Sequence, residues 1–503
     1  MLRKIRITLA VLFFMAVTAL FLDFTGTIHS VLGWTAKLQF LPALLSLNVG
    51  IVIALVLLTL LAGRVYCSVI CPLGVMQDFI SHISGMRKKK RFRFSYSREI
   101  KWLRYGILAL FVVAVVAGIG SFVALLAPYS SYGRIVSNLL APIYGWGNNL
   151  LAWLAERAGS YAFYEKEVWI KSIPTFAIAA VSFIVIAILA WRGGRTYCNT
   201  VCPVGTVLGL LSRYSVLRPV IDTGRCKDCS LCARSCKSSC IDYKNHSIDY
   251  SRCVACMDCL YNCSHGAISM RCRLNKSAAQ PDSVCHEPSE TGSVDSGRRG
   301  FLSVSAMVAA SSIIKAEEKK VDGGLAVIED KKAPVRANPI VPAGAGGLRN
   351  FAQHCTACQL CVSVCPNNVL RPSTDLTRLM QPEMSYETGY CRPECTRCSD
   401  VCPAGAIRPV STEEKSSIRI GHAVWVKKNC IPLSDGVECG NCARHCPSGA
   451  IQMVPSDAAD PESLKIPVVN TERCIGCGAC ENLCPARPFS AIYVEGHSSH
   501  SIM

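Results

Sequence analysis

Charged residues are scarce in this sequence. They make up 17% of its 503 residues, half of the residues are hydrophobic, and the mean hydropathy is +0.30. This composition excludes an ordinary soluble protein of this length and indicates membrane segments. The dinucleotide fingerprint, the Walker loop and a nucleophile–base set are also missing. Of ten histidines, only His29 and His82 lie near the end of an apolar run, which argues against haem ligands within the membrane. The sequence thus indicates no haem, flavin or nucleotide.

Four apolar runs are long enough to cross a bilayer. Their flanks alternate in charge, with nine Lys or Arg in residues 63–103, one in 28–39 and four in 128–173. The positive-inside rule therefore places the N-terminus and the end of this four-helix unit in the cytoplasm. The predicted spans are Ile7–Phe24, Phe40–Ala62, Tyr105–Ala127 and Pro174–Trp191.

The net charge of +18 raises the question of nucleic-acid binding. Much of the charge borders apolar runs, and the basic run 87–93 lies between two of them, so we interpret it as a cytoplasmic membrane anchor. Residues 134–155 are amphipathic and contain Pro142. We expect them to lie on the outer membrane face, with a fifth crossing as the alternative.

The membrane unit contains an internal repeat. GRVYCSVICPLG begins at Gly63 and GRTYCNTVCPVG begins at Gly194, 131 residues later, each just after an apolar run. The sequence therefore predicts two equivalent loops at the cytoplasmic helix ends. Their cysteines could together bind one iron–sulfur cluster, or they could serve as redox thiols or pack in the interior. These cysteines are Cys67, Cys71, Cys198 and Cys202.

The 31 cysteines recur mostly in tight C-x-x-C-x-x-C-x-x-x-C runs, which suit [4Fe–4S] clusters better than disulfides. Residues 226–272 carry two such quartets, a two-cluster pattern that paired zinc ribbons would not produce. Cys240 replaces an expected alanine, so it is either an alternative ligand or a small buried residue, and we favour the buried position. The two quartets are Cys226, Cys229, Cys232 and Cys236, and Cys253, Cys256, Cys259 and Cys263.

The C-terminal region carries four more cysteine sets, all ending in Cys-Pro. The first and last sets are regular, and the middle two have a longer first gap. Sixteen cysteines predict four clusters here, so six clusters are expected in the two cysteine-rich regions and a seventh in the membrane loops. Cys240, Cys272 and Cys285 remain unassigned. The four sets are Cys355, Cys358, Cys361 and Cys365; Cys391, Cys395, Cys398 and Cys402; Cys430, Cys439, Cys442 and Cys446; and Cys474, Cys477, Cys480 and Cys484.

A paired arginine, Arg298-Arg299, opens a mildly apolar segment in residues 295–316. The pattern resembles a twin-arginine export signal, which would carry a folded, cluster-loaded domain across the membrane. Lysines follow the apolar run and oppose export by the positive-inside rule. The alternatives are therefore export of the C-terminal domain to the periplasm and a short linker helix with that domain in the cytoplasm.

Residues 1–272 resemble the NapH-type membrane quinol dehydrogenase subunits, with relatives among copper-oxidase accessory proteins. Residues 295–503 resemble the NapG/MauM-type four-cluster ferredoxins. The likeness to four-cluster ferredoxin subunits implies that the first and last cysteine sets exchange their fourth cysteines, as do the middle two. Spacing alone also permits exchange between neighbouring sets. The resemblance further implies electron flow from membrane quinol, or from a cytoplasmic donor, to an exported oxidoreductase.

The predicted fold class is an α-helical membrane domain with four transmembrane helices, joined to two α+β ferredoxin-like [4Fe–4S] domains. We expect a bacterial inner-membrane protein that is mainly an electron carrier, and a role as a quinol dehydrogenase component stays open. The expected partners are the membrane, quinol and an oxidoreductase subunit, but not nucleic acid. The alternatives are a maturation factor that reduces a metal site and a redox sensor. The predicted domains are 1–215, 216–272, a linker at 273–347, and 348–503.

Overall fold

The computed structural model describes residues 2–23, 25–86, 94–160, 162–166, 168–273 and 329–503. The basic run 87–93, the paired-arginine segment 295–316 and Cys285 therefore lie outside the described residues. The first part of the chain is helical. Its helices are α1 Leu2–Leu22, α2 Thr27–Leu32, α3 Trp34–Lys37, α4 Phe40–Leu45, α5 Val49–Ala62, α6 Pro72–Gly85, α7 Lys101–Ala117, α8 Gly120–Leu126, α9 Pro128–Ile135, α10 Ala141–Arg157, α11 Ile173–Gly193, α12 Thr196–Thr200 and α13 Pro203–Ser212, with π-helical turns at Tyr66–Ile70 and Val136–Leu140.

Within the described ranges, two helices are long and apolar enough to cross a bilayer, α1 and α11, with 21 residues each. The prediction of four continuous spans was therefore wrong for the other two. The run predicted at Phe40–Ala62 divides into α4 and α5, and the run at Tyr105–Ala127 divides at the end of α7 and continues as α8. Helix α5 has 14 residues, so it is only about 21 Å long.

Local caps cause both interruptions. The Asn48 side chain accepts a hydrogen bond from the Ile51 backbone N–H and starts α5 afresh. Gly118 ends α7 in the left-handed conformation at φ +73°, a common helix stop that glycine adopts without a Cβ penalty. Both residues lie inside apolar runs, and a hydropathy average does not register either signal.

Short segments fold back into the helical unit from both of its ends. Residues 27–45 follow α1 and residues 120–135 follow α7, whereas the turn Tyr66–Ile70 follows α5 and α12 follows α11. These segments meet inside the unit. The Tyr66 hydroxyl accepts from the Phe40 N–H at 3.1 Å, and the Tyr197 hydroxyl donates to the Leu126 carbonyl at 3.1 Å. The repeated loops therefore enter the interior of the unit.

The first cysteine-rich module, residues 217–272, is closed by strand β1 (Leu217–Ile221), which pairs antiparallel with β4 (Ile268–Cys272). A two-residue pair, β2 (Ile241–Asp242) and β3 (Ser247–Ile248), lies between them. One short helix precedes the last cysteine of each quartet, at Leu231–Ser235 and Asp258–Asn262.

The C-terminal domain combines short helices with two-stranded antiparallel sheets. Residues 329–347, within the predicted linker, pack on this domain, since Arg336 pairs with buried Glu481 at 2.5 Å. The strands are β5 Leu370–Pro372, β6 Pro382–Met384, β7 Ile418–Trp425, β8 Ile451–Asp457, β9 Asp460–Val469 and β10 Ile492–Ile502, paired β5–β6, β7–β10 and β8–β9. The helices are Leu348–His354, Leu360–Val364, Arg397–Asp400, Thr412–Ser417, Ile431–Ser434, Asn441–Arg444 and Ala479–Leu483, with 3-10 turns at Leu376–Arg378 and Lys427–Asn429.

The first module packs against one end of the helical unit. Arg3, at the start of α1, pairs with Asp258 at 2.8 Å. Arg104, at the start of α7, donates to the Ser251 carbonyl at 3.1 Å. The Arg195 N–H, just after α11, donates to the Lys237 carbonyl at 2.9 Å. The starts of α1 and α7 and the end of α11 therefore lie at this end.

The C-terminal domain packs against the other end. Lys171, just before α11, donates to the Val362 carbonyl at 2.8 Å. Ser121, just after α7, donates to the Leu376 carbonyl at 3.0 Å. Ser46, just before α5, lies beside Gly405. The helical unit thus separates the two cysteine-rich parts of the chain.

Candidate iron–sulfur sites

The regular cysteine turns share an unusual backbone. In the first turn of the C-terminal domain, Ala357 and Gln359 both have positive φ, at 51° and 65°. The same two positions have positive φ in both turns of the first module and in the turn at Gly476 and Gly478. Alternating left-handed residues turn successive backbone N–H groups towards one concave side, which suits an anionic group. These turns are therefore shaped to surround a thiolate-ligated cluster.

The two quartets of the first module exchange their fourth cysteines. Cys263 is an electrostatic neighbour of Cys232, which also interacts with Cys226 and Cys229. Cys236 instead lies with Cys256 and Cys259, and a small cavity is lined by Cys236, Cys253, Cys256 and Cys259. Such an exchange is typical of two-cluster ferredoxins.

Cys240 is buried beside this second group, with its sulfur 3.5 Å from that of Cys236. It lies next to the predicted ligands and also interacts with Cys253. Cys272 is exposed at the end of β4.

In the C-terminal domain, neighbouring cysteine sets exchange their fourth cysteines. Cys402 is the electrostatic neighbour of Cys355, Cys358 and Cys361, and Cys365 lies with Cys391 and Cys398. In the same way, Cys446 lies with Cys474, Cys477 and Cys480, and Cys484 lies with Cys430 and Cys442.

The pairing implied by the resemblance, first with last set and second with third, was therefore wrong. The physical reason is that the short helices of the first two sets pack together, as do those of the last two. Small cavities lie inside three of these groups.

Burial raises the pKa of several thiols in these groups. The pKa of Cys477 rises to about 12, and those of Cys232 and Cys442 rise to about 11. Without iron, these three side chains are therefore neutral thiols at pH 7, and iron must displace their protons to bind. Backbone N–H groups already point at several sulfurs, as from Ala450 to Cys446 at 3.3 Å and from Ala491 to Cys484 at 3.3 Å. These groups fit [4Fe–4S] clusters, for which the thiolates would supply the ligands.

The four membrane-loop cysteines meet in the interior of the helical unit. Each is 4% exposed, and all four belong to its apolar core. In the structure they follow the ends of α5 and α11, and both loops fold back from there between the helices. That these helix ends are cytoplasmic stays a prediction. Two N–H groups approach the sulfurs, from Gln77 to Cys198 at 3.3 Å and from Gly205 to Cys202 at 3.3 Å.

Two buried arginines cross between the repeats. Arg195 donates to the Cys67 carbonyl at 2.6 Å, and Arg64 donates to the Cys198 carbonyl at 3.2 Å. Arg64 also lies 3.8 Å from the Cys67 sulfur. Both side chains are 0% exposed, and such buried cations require nearby negative charge. Asp78 supplies it to Arg195 at 2.8 Å, whereas Arg64 has no carboxylate partner among the described residues. A thiolate-ligated cluster carries net negative charge, so this donor set fits one.

The last glycine of each repeated loop makes room for the crossing arginine. A Cβ on Gly74 would lie 2.3 Å from the Cys67 carbonyl oxygen and 2.5 Å from Arg195 Nη1. A Cβ on Gly205 would lie 2.3 Å from the Cys198 carbonyl oxygen and 2.8 Å from Arg64 Nη2. The sequence analysis missed the arginines and these glycines as site residues, although both repeat at the 131-residue offset.

Comparison with known families finds two matches, both with iron–sulfur domains. A 4Fe-4S binding domain matches residues 47–91 and 175–221, and a 4Fe-4S dicluster domain matches residues 354–406 and 437–487. The first dicluster match covers the first pair of exchanging sets, and the second covers the last pair except for Cys430. The protein therefore contains domains that bind [4Fe–4S] clusters.

Similar proteins include several ferredoxin-type proteins, whereas no solved structure matches. An uncharacterized protein of Methanocaldococcus jannaschii is 22% identical over 49% of this chain and 79% of its own length. The ferredoxin-type protein NapF of Escherichia coli is 29% identical over 32% of this chain and 89% of its own length. The methylamine utilization ferredoxin-type protein MauM of Methylobacillus flagellatus is 31% identical over 32% of this chain and 70% of its own length. With this match, the chain belongs to the MauM-like ferredoxin-type proteins.

Proposed function

We propose that this protein is a membrane-bound relay that carries electrons through seven iron–sulfur clusters between the two ends of its helical unit. The two ferredoxin-like parts supply six clusters, and Cys67, Cys71, Cys198 and Cys202 supply the seventh. When bound, each cluster accepts and releases one electron. The protein holds the clusters in order, shields them from water and positions the ends towards different partners.

One observation carries the proposal. A single apolar core contains the four interior cysteines and Cys358, and Cys256 packs against it. Cys256 belongs to a quartet of the first module, and Cys358 belongs to a quartet of the C-terminal domain. The interior cysteines thus lie between a cluster site at each end.

Further cluster sites follow on both sides of this core. In the first module, the two cluster sites adjoin, because each takes its fourth cysteine, Cys236 or Cys263, from the other quartet. In the C-terminal domain, the Cys391 N–H donates to the Cys477 carbonyl at 2.9 Å, which joins the second and fourth sets. The arrangement supports a single file of clusters with Cys226 and Cys442 in the outermost groups.

Exposed apolar side chains support insertion in a bilayer. Large apolar residues with more than 45% exposure recur along four helices. Contact of these side chains with water would cost free energy. A lipid environment around these helices removes that cost, whether or not each helix crosses alone. Examples are Leu12 and Met15 on α1, Ile53 and Leu57 on α5, Val113 and Val116 on α7, and Val181 and Val185 on α11.

The opposite placement of the two ferredoxin-like parts supports export of the C-terminal domain. If α1 begins in the cytoplasm, the first module lies on the cytoplasmic side and residues 348–503 on the periplasmic side. The electron donor would be the quinol pool or a cytoplasmic protein, and the acceptor a partner oxidoreductase. The relatives named as ferredoxin-type proteins fit a carrier of this kind.

The test uses the purified protein in sealed vesicles, with an impermeant reductant outside and an impermeant oxidant trapped inside. We expect electron transfer across the membrane in the natural protein and its loss in Cys198→Ser. The variant should also contain less iron by one cluster, while the other clusters keep their EPR signals. Cys272→Ser is the matched control, because Cys272 is exposed and outside every quartet.

A Cys198→Ser variant with unchanged iron content would contradict the seventh cluster. Full cluster content without transfer across the vesicle membrane would contradict the relay. That second result would favour the alternative of a maturation factor that reduces a metal site.

A further inference from the structure

A pocket of about 580 Å³ lies where the helical unit meets the C-terminal domain. Phe21 at the end of α1, Ala141 at the start of α10 and Phe176 in the first turn of α11 line one side. Trp169, Gln359 and Cys365 line other parts of its wall. The volume lies in the range of pockets that bind small organic molecules.

Two polar atoms in the pocket wall have no hydrogen-bond partner among the described residues. They are Gln359 Nε2 and Ser137 Oγ. The Gln359 side chain is 2% exposed, and its Oε1 accepts from Asn138 Nδ2 at 2.9 Å, which fixes the orientation of its amide. Buried donors are normally satisfied, so an unpaired buried amide in a pocket wall indicates a ligand with oxygen acceptors.

The pocket also contacts a cluster site. Cys365 lines its wall and belongs with Cys391, Cys395 and Cys398. A molecule in the pocket would therefore lie directly against Cys365, one of the four cysteines of that cluster site. The occupant is expected to be redox-active.

The position of the pocket indicates how its ligand arrives. It is built on the ends of α1 and α11, the two helices of spanning length, and on α10. The outer side of α10 exposes apolar residues, with Ile143, Trp146 and Leu150 each about 60% exposed. A ligand soluble in lipid can reach the pocket from the membrane surface.

Resting on the proposed relay function, we propose that this pocket binds the head group of an isoprenoid quinol and that Gln359 and Ser137 hold its oxygens. Oxidation breaks the two O–H bonds of one quinol. Its two electrons pass one at a time to the oxidised cluster at Cys365, Cys391, Cys395 and Cys398, which sends each on towards the partner oxidoreductase. The two protons leave to water past Glu165, which lies at the exposed rim. The product is the quinone.

The test fills the pocket without touching a cluster ligand. Ala141→Phe places a ring inside the pocket, and Ser137→Ala removes the unpaired Ser137 hydroxyl from its wall. Ile143→Phe is the matched control, because Ile143 lies on the same helix, is 61% exposed and is not part of the wall. The full-length protein is mixed with duroquinol, and cluster reduction is followed by EPR, with dithionite reduction as the reference for cluster content.

We expect duroquinol to reduce the natural protein and Ile143→Phe equally fast, and Ala141→Phe at least roughly tenfold more slowly. A photoreactive azidoquinone should label peptides from residues 135–176 or 359–372 in the natural protein and label them weakly in Ala141→Phe. Labelling at another site, or an unchanged rate in Ala141→Phe, would overturn the inference.

The two proposals fail separately. If no quinol reduces the natural protein while electrons still cross the vesicle membrane from dithionite, the quinol site is wrong and the relay stands. If duroquinol reduces the C-terminal clusters but no electron crosses the membrane, the quinol site stands and the transmembrane relay is wrong.

Discussion

Gly74 lies where any side chain would displace a buried arginine. Its Cβ would lie 2.5 Å from Arg195 Nη1, and Arg195 also pairs with Asp78 at 2.8 Å. We therefore expect Gly74→Ala to destabilise the helical unit by about 1–3 kcal/mol, the usual cost of overpacking a filled interior. Gly74→Ala should also lower the iron occupancy of the cluster proposed for the four interior cysteines. The measurements are thermal unfolding in detergent and iron content.

Gly85→Ala is the control for this substitution. Gly85 ends the same helix, and a Cβ there would meet no atom within 4 Å. Because alanine favours a helix more than glycine does, this variant should be neutral or up to about 1 kcal/mol more stable. Equal behaviour of the two variants would contradict the role assigned to Gly74.

His500 on β10 gives the C-terminal domain a sensitivity to acid. Both ring nitrogens are buried without a partner among the described residues, and burial followed by repulsion from His497 lowers the pKa of His500 to about 4. Below the usual pKa of histidine, His500 binds a proton in the unfolded chain, whereas in the folded chain it stays neutral until the pH reaches about 4. Folded stability should therefore fall as the pH drops from about 6.5 towards 4.

We expect His500→Phe to remove much of this loss, worth roughly 1 kcal/mol at pH 5.5. The measurement is thermal unfolding of the full-length protein between pH 5.5 and 8. The pH dependence of the variant should be flatter than that of the natural protein, with the curves parallel above pH 7. An identical slope in both proteins would show that His500 is not the cause.

At the scale of elements, the exchange between neighbouring cysteine sets defines which cluster each substitution removes. Cys402 lies with the three cysteines of the preceding set, so Cys402→Ser should remove the cluster of Cys355, Cys358 and Cys361. Cys365→Ser should instead remove the cluster of Cys391, Cys395 and Cys398. Iron content and EPR of the two variants should each show the loss of one different cluster. If Cys484→Ser abolished the cluster of the first set, exchange between the first and last sets would be correct instead.

The sequence identified the cysteine quartets, but not their pairing or the helix breaks. Cysteine spacing predicts the turns because three ligands of one cluster lie within a single loop. The fourth ligand depends on which turns pack together, as the Arg397–Asp400 helix does with Leu360–Val364, and that is a tertiary contact. Asn48 and Gly118 interrupt two apolar runs through capping, which depends on single residues rather than on average hydropathy.

At the scale of the whole molecule, the interior site was partly predictable. The duplicated loops showed that four cysteines are equivalent in pairs, but their depth depends on loops that turn inwards to meet residues 39–40 and 126. Charge alternation predicts the orientation of the helices in the membrane, which stays a prediction. The contacts at each end connect that prediction to the two ferredoxin-like parts. Lys171 and Arg3, at opposite ends of the helical unit, contact different domains.

This arrangement makes a prediction about the two sides of the membrane. In intact spheroplasts, added protease should cleave residues 348–503 and leave residues 217–272 protected, because the helical unit separates the two parts. A tag after Met503 should be lost and a tag before Met1 retained, and lysis should expose both. A cytoplasmic protein serves as the control for spheroplast integrity. Protection of both parts would exclude export and place both ferredoxin-like parts on one side of the membrane. Electrons would then leave the protein on the side where they entered.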